Sequence, residues 1–264
     1  MKILRFLLLF LAMVVISSMV LLNCKSKSSS ESGDKAKTET VGHNELTQAE
    51  IDEGWVLLFD GESTKGWRGY GLETFPDSGW IVEEGKLVCL HSGRGEAGWG
   101  GDIIYDKVFK NFHLKLEWMI EEGGNSGIFY LGQEIEGKQI WYTAPEYQIL
   151  DNFSNHVDNI LGIDGNRRAG SLYDLIPPVP QNAKGAMEWN SAEIIIYEGT
   201  VVYKMNGEIV MEYHLWTDEW NEMIANSKFP EFNPDFANVP KEGYIALQDH
   251  GHGAWFRDIK LREL

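Results

Sequence analysis

The sequence predicts an all-β domain, a two-sheet sandwich or jelly roll with one or two short helices. Three observations point there. Apolar residues alternate with period two, most cleanly in FHLKLEWMI at 112–120, where Phe112, Leu114, Leu116, Trp118 and Ile120 share one face. The pairs EG and NG, which suit turns with positive φ, separate runs rich in Ile, Val and Tyr. Segments with helical period are few, and strands with two-faced patterning must bury one face against another layer.

The chain opens with a leader. Lys2 and Arg5 give a positive n-region ahead of the apolar run at 6–22, so residues 1–23 read as a secretory signal. The run is at the lower edge of a membrane span, which leaves an uncleaved anchor open. Cys24 follows directly, and the composition then turns to KSKSSSESGDKAKTET. This pattern is similar to a bacterial lipoprotein signal, in which the cysteine is diacylated and becomes the mature N-terminus. Cys24 is therefore the expected lipidation site, and the protein is expected outside the cytoplasm, anchored by lipid to the bacterial envelope. Residues 24–46 hold too few apolar groups to order themselves and read as a tether. The second of the two cysteines, Cys89, lies in the apolar strand KLVCL and reads as a small core hydrophobe.

Residues 47–264 suffice for one sizeable core, with no second linker. The whole chain carries a formal charge of −17. Such an acidic balance argues against nucleic acid or an anionic membrane face as a partner and suits a neutral ligand. Thr47 and Glu50 form a capping box for a short helix ending near Gly54, and WVLLF at 55–59 begins the strands. WIVEEGKLVCL reads as a hairpin turning at Glu84 and Gly85, and residues 192–215 as two or three hairpin strands. Residues 217–229 form the one convincing later helix, 230–240 a loop, and 243–251 and 254–264 the closing strands.

Three strand-like segments carry polar chemistry: NSGIFY at 125–130, APEYQILD at 144–151 and ALQDHGHGAWF at 246–256. Alternation puts Glu146 and Gln148 on one face of their strand, and Gln248 and His250 on one face of theirs. If those faces line one concave surface, they make a polar pocket with Trp and Tyr interleaved, which suits a sugar. Asn125, flanked by glycines that let backbone approach closely, offers hydrogen bonds to sugar hydroxyls; the alternative is a left-handed turn residue. Trp141 offers a stacking face, and Asp151, His156, Tyr173 and Asp174 are expected in the pocket walls. Glu117, on the non-core face of its strand, offers a second carboxylate or is a solvated surface acid. Asp249 alternates away from His250 and reads as structural, as do Glu188, Trp189 and Asn190.

The segments LTQAEIDEGWVLLFDGESTKGWRGYG, GNSGIFYLG, APEYQILDN, AGSLYDLIPP, EWNSAEIIIYEGTVVYKMNG and GYIALQDHGHGAWFRDIKLREL together resemble the 3-keto-disaccharide hydrolase domain family. The resemblance runs from about residue 46 to the C-terminus and implies a concanavalin A-like jelly roll. It also implies cleavage of the glycosidic bond of glycosides oxidised at carbon 3. A ketone there acidifies the hydrogen on carbon 2; its removal gives an enolate, the aglycone leaves carbon 1, and water adds to the enone. The route needs a base, an electrophile for the enolate oxygen and an acid for the leaving oxygen. Glu146 is the first choice for base, with a structural pairing to Lys115 or Arg257 as its alternative, and His250 for acid or metal ligand. A divalent cation would stabilise the enolate, and Glu146, His250, His156 and Asp151 offer ligands. No HExxH-like spacing occurs, and the metal stays open. The family also implies functional coupling to a sugar 3-oxidoreductase that supplies the keto-sugar. Two readings compete: an ordinary glycoside hydrolase with two spaced carboxylates, disfavoured by the absence of an ExDxxE strand, and a non-catalytic carbohydrate-binding surface lipoprotein.

Overall fold

The capping box at Thr47 forms. Its hydroxyl accepts from the Glu50 N–H at 3.1 Å, and the Glu50 carboxylate accepts from the Thr47 N–H at 3.0 Å, which starts α1 (Gln48–Asp52). The computed structural model describes residues 42–154 and 160–264. The expected leader, Cys24, His156 and most of the tether lie outside the described residues. Packing begins before residue 47: Asn44 is buried, its N–H donates to Asp258 Oδ1 at 2.5 Å, and its side chain donates to the Gly85 carbonyl at 2.9 Å.

After α1 come β1 (Val56–Leu57), β2 (Trp67–Gly69), β3 (Trp80–Glu83), β4 (Lys86–Cys89) and β5 (Ile103–Tyr105). The β3–β4 hairpin turns at Glu84 (φ 48°) and Gly85 (φ 74°), two left-handed positions that match the twist of the strands. Next are β6 (Phe112–Ile120), β7 (Asn125–Gly132) and β8 (Glu146–Leu150). The meander of β9 (Asn190–Tyr197), β10 (Thr200–Met205) and β11 (Glu208–His214) turns at Glu198 with Gly199 and at Asn206 with Gly207, all at positive φ. The helix expected over 217–229 is α2 (Asp218–Ala225), capped by Thr217, whose hydroxyl accepts from the Trp220 N–H. The loop expected over 230–240 instead begins inside a second helix, α3 (Phe229–Phe232), where Pro230 sits in the first turn and costs no hydrogen bond. β12 (Tyr244–Leu247) and β13 (Ala254–Glu263) close the chain.

All pairings are antiparallel. One sheet runs β11-β10-β9-β6-β13-β4-β3, with β1 also on β13; the other runs β2-β5-β12-β7-β8. This is the jelly-roll sandwich that the alternation predicts. Leu114, Trp118, Ile128, Tyr130, Tyr147 and Ile149 fill the space between the sheets, and each side chain so buried stabilises the fold by roughly 2 kcal/mol. Cys89 is fully buried there as a free thiol.

The smaller sheet is covered on its outer face too. Ile104, Phe129 and Ala246, which point away from the main core, pack under Ile140 and Ala144. β8 is therefore buried at every position, and its polar residues Glu146 and Gln148 face a covered surface rather than open water. That covering creates a pocket.

Candidate active site

Sheet register builds the pocket floor. Gly127 pairs with Gln148 across β7 and β8, and Phe129 pairs with Glu146. The strand expected over 243–251 ends at Leu247, but the Gln248 N–H still donates to the Gly127 carbonyl at 3.0 Å. Gln248, Gly127 and Gln148 thus form one row across three chain segments. Asn125 stands beside it and accepts from Gln148 Nε2 at 3.2 Å.

His250 reaches the same cavity from the loop after β12. Its neighbour Asp249 fixes that loop by accepting the N–H groups of Trp99 and Gly100 at 3.0 Å and of Gly251 at 2.9 Å. The Asp249 N–H in turn donates to Asp102 Oδ1 at 3.0 Å. Asp249 is fully buried and structural, as alternation implied.

The walls differ in character from the floor. Trp141 enters from a 3₁₀ turn (Ile140–Tyr142) and meets Phe232 of α3 edge to face, with ring centroids 5.8 Å apart. Phe229 and Phe236 stack at 4.1 Å behind it, and Leu172 and Leu175 continue the apolar side. Tyr173, Lys228 and Glu96 complete the polar side.

Two features mark the cavity as a ligand site. Trp141 Nε1, Gln148 Oε1, Gln248 Oε1 and His250 Nδ1 are buried without a hydrogen-bond partner among the described residues. Buried polar atoms left unpaired each cost on the order of 1–3 kcal/mol, which a hydroxylated ligand would recover. Second, burial pushes the Glu146 carboxyl well above the usual carboxylate range, Asp102 and Glu96 add to that rise, and Lys228 opposes it. Glu146 therefore keeps its proton at pH values where an ordinary glutamate has lost it. A buried, proton-holding carboxyl in a polar cleft is a mark of acid–base chemistry.

Of the residues expected in the site, the structure brings together Glu146, His250, Asn125, Trp141, Gln148, Tyr173 and Gln248. Glu146 pairs with neither Lys115 nor Arg257. Glu117 is elsewhere: on β6, in the larger sheet, it accepts from Arg257 Nε at 2.8 Å and Nη2 at 2.7 Å. Period two assigned it to a non-core face but could not say which sheet that face belonged to. Asp151 is also not in the pocket wall. Its oxygens accept the Gly123 N–H at 2.9 Å and the Phe153 N–H at 3.1 Å, which pins the turn before β7. Glu96, Lys228, Phe229, Phe232 and Phe236 were not expected. The aromatic repeat in KFPEFNPDF, unusual for a solvated loop, was the available signal.

Among the described residues, one group of three has ligand atoms all within 4.8 Å of one another: His43, Glu117 and Asp258. It lies outside the pocket, and its carboxylates are engaged by Arg257 and by His43 itself, whose Nδ1 is 2.6 Å from Asp258. Glu146 and His250, offered as ligands by the sequence, form no such group.

Known proteins place this architecture. A 3-keto-disaccharide hydrolase of Bacteroides thetaiotaomicron is 44% identical over 276 residues, spanning 93% of this chain and 94% of its own. The crystal structure of a Parabacteroides distasonis protein assigned to the glycosyl hydrolases matches with TM-score 0.75 and 29% identity, covering 84% of this chain and 100% of that one. A second structure from that organism, at TM-score 0.60 and 23% identity over 80% of this chain and 99% of its own, shares the fold. The model of the 3-keto-alpha-glucoside-1,2-lyase-like domain matches residues 54–262, from just before β1 into β13, and the chain belongs to that family.

Proposed function

We propose that this protein is an enzyme that cleaves the glycosidic bond of 3-keto-glycosides, 3-keto-disaccharides included. Family membership and the relative's activity support the substrate class. The observation that carries the site is the buried Glu146 carboxyl, its pKa raised by that burial, lining a cavity with unpaired polar atoms of Gln148, Gln248 and His250.

That electrostatic state reverses the roles expected from sequence. Glu146, as a neutral acid, donates its proton to the leaving glycosidic oxygen. His250, with an unpartnered ring nitrogen, takes the proton from carbon 2. The C2–H electron pair forms the enolate, and collapse of the enolate expels the aglycone from carbon 1 as Glu146 protonates it. The product is an enone with a double bond between carbons 1 and 2. Water then adds at carbon 1, giving its proton to the Glu146 carboxylate, while the His250 cation returns a proton to carbon 2. Both groups end as they began, and the net change is hydrolysis. Gln148, Gln248 and Asn125 hold the sugar hydroxyls, and Trp141 covers a ring face.

We also propose that the domain is carried outside the cytoplasm on a lipid anchor at Cys24, with the residues between Cys24 and the packed Asn44 as the connecting segment. It would act there on keto-sugars made by a separate sugar 3-oxidoreductase.

The deciding experiment incubates the protein with methyl 3-keto-glucoside, whose alkoxide leaving group needs a proton, and with its unoxidised parent, beside Glu146→Gln. Cleavage of the keto compound alone, lost in the variant, is the expected result. Cleavage of the parent would make it an ordinary glycosidase, and cleavage of neither would leave a binding protein.

A further inference from the structure

Among the described residues, Lys228 is the one lysine or arginine lining the pocket, and neither proton transfer requires it. It lies between α2 and α3, in the segment NSKFPEF. Its Nζ donates to Tyr173 Oη at 3.2 Å, pairs with Asp174 Oδ2 at 3.1 Å, and sits 4.4 Å from the Tyr173 ring centroid. Arg167 Nε holds the other Asp174 oxygen at 2.5 Å. One carboxylate between two cations leaves the cluster with a net positive charge. An ammonium has three N–H donors, and the third has no partner among the described residues.

The direction of the hydrogen bond matters. Because the ammonium donates to Tyr173 Oη, the phenol's own hydrogen is left to point elsewhere, and Tyr173 lines the same cavity. The Tyr173 N–H also donates to the Glu146 carbonyl at 3.0 Å, which ties this phenol to the strand that carries the acid. The site has reason to need a donor of this kind. Its acidic lining residues are Glu96 and Glu146; the second holds its proton in the proposed route, so an enolate formed there meets the Glu96 carboxylate unless a cation opposes it.

We propose that Tyr173 and Lys228 are the oxyanion-stabilising pair of this site. The Tyr173 hydroxyl donates to the carbon 3 oxygen of the keto-sugar, and the Lys228 ammonium, bonded to the same phenol oxygen, opposes the charge that gathers there. In the step they serve, the C2–H bond breaks, the proton goes to His250, a C2=C3 bond forms, and the carbonyl electron pair moves onto the carbon 3 oxygen. The pair rests on the enolisation route given above and adds to it the group that receives the charge.

The test separates enolisation from bond cleavage. 1,5-Anhydro-3-ketoglucitol has the ketone and the carbon 2 hydrogen but no aglycone, so exchange of that hydrogen in D₂O, followed by NMR, reports enolate formation alone. The wild type should exchange it. Lys228→Met should slow exchange on the order of 100-fold, the usual cost of one lost oxyanion donor, while calorimetric affinity for the same compound changes by only a few fold. Lys228→Arg should recover a tenth or more of the rate. Tyr173→Phe keeps the ring beneath Lys228, so its fold is not in question, and it should slow exchange comparably. Exchange within about threefold of wild type in Tyr173→Phe or in Lys228→Met overturns the pair, as does a loss of affinity as large as the loss of rate. Absence of exchange in the wild type overturns the enolisation route itself, and the pair with it.

Discussion

Gly127 leaves the space that the Glu146 carboxyl fills: a Cβ placed on Gly127 would collide with Glu146 Oε1. The backbone at Gly127 is not in the left-handed region, so the glycine is there for volume and alanine would fit the chain itself. Gly127→Ala should therefore leave the sandwich folded while forcing the carboxyl out of place. The expected result is a fall in kcat on a 3-keto-glucoside of the order of 100-fold, since a misplacement of about 1 Å costs that much, with a thermal midpoint within a few degrees of wild type. Full activity in this variant would show that the Glu146 position is not critical.

The pH profile tells acid from base at Glu146. Burial, with Asp102 and Glu96 nearby, raises its pKa, and the group donates only while protonated. As the acid, Glu146 makes kcat/KM fall as pH rises through that raised pKa; as the base, it would make kcat/KM rise through the same range. Glu146→Gln should abolish the limb. It should also cost roughly 100-fold on an alkyl 3-keto-glucoside and much less on a nitrophenyl one, whose leaving oxygen needs no proton.

Asp102 gives a stability signature of its own. Burial pushes its pKa up to about 7 from an ordinary 3.8, Asp249 and Glu96 add to the rise, and one N–H from Asp249 opposes it. A folded pKa above the unfolded one means that the folded state holds the proton more tightly. The associated stability is complete below about pH 3.8 and is lost as pH rises towards 7. Chemical denaturation between pH 4 and 8 should show stability falling by up to about 1.4 kcal/mol per pH unit for this proton, with Glu146 acting in the same sense. Asp102→Asn, which keeps an oxygen for the Asp249 N–H, should lower that slope, and an unchanged slope would remove Asp102 as its source.

Local periodicity made the sandwich legible, because alternation and turn residues act over a few positions. The β6 strand, the three EG and NG hairpin turns and the Thr47 capping box all follow from neighbours in sequence. It also grouped Glu146 with Gln148 and Gln248 with His250, although the second pair lies beyond the end of β12, in a loop fixed by Asp249. Glu117 and Asp151 were misplaced because the same alternation is satisfied by an outer face of either sheet and by a turn acid serving backbone N–H groups. Lys228 was invisible because its meaning depends on Tyr173 and Asp174, more than fifty positions away, which only the packing of α3 against the 172–175 turn brings together.

Cys24 supplies a separate expectation. If it carries lipid, cells expressing the full chain should incorporate alkyne-tagged palmitate into the protein and retain it in the membrane fraction. Cys24→Ser should lose the label and release the protein, whereas Cys89, fully buried, should take up none. Label that persists in Cys24→Ser would place the attachment elsewhere.

The two-sided pocket predicts an aglycone preference. The floor residues proposed to hold the sugar hydroxyls are polar, but Trp141, Phe229, Phe232 and Phe236 line the opposite side, and Phe232 remains 51% exposed in an edge-to-face contact with Trp141. An exposed aromatic that lines a cavity gains most by covering an apolar partner, at about 25 cal/mol per Å² of surface removed from water. In the proposed route the sugar ring carrying the ketone takes the polar floor, which leaves the aglycone for this wall. Phe232→Ala should therefore raise KM for an aryl 3-keto-glucoside by roughly tenfold, the equivalent of about 1.4 kcal/mol, while leaving kcat nearly unchanged because no proton transfer is touched. The same variant should change KM for a methyl 3-keto-glucoside little, since a methyl group reaches none of the wall. Equal losses on both substrates would show instead that Phe232 supports the fold of α3 around Trp141.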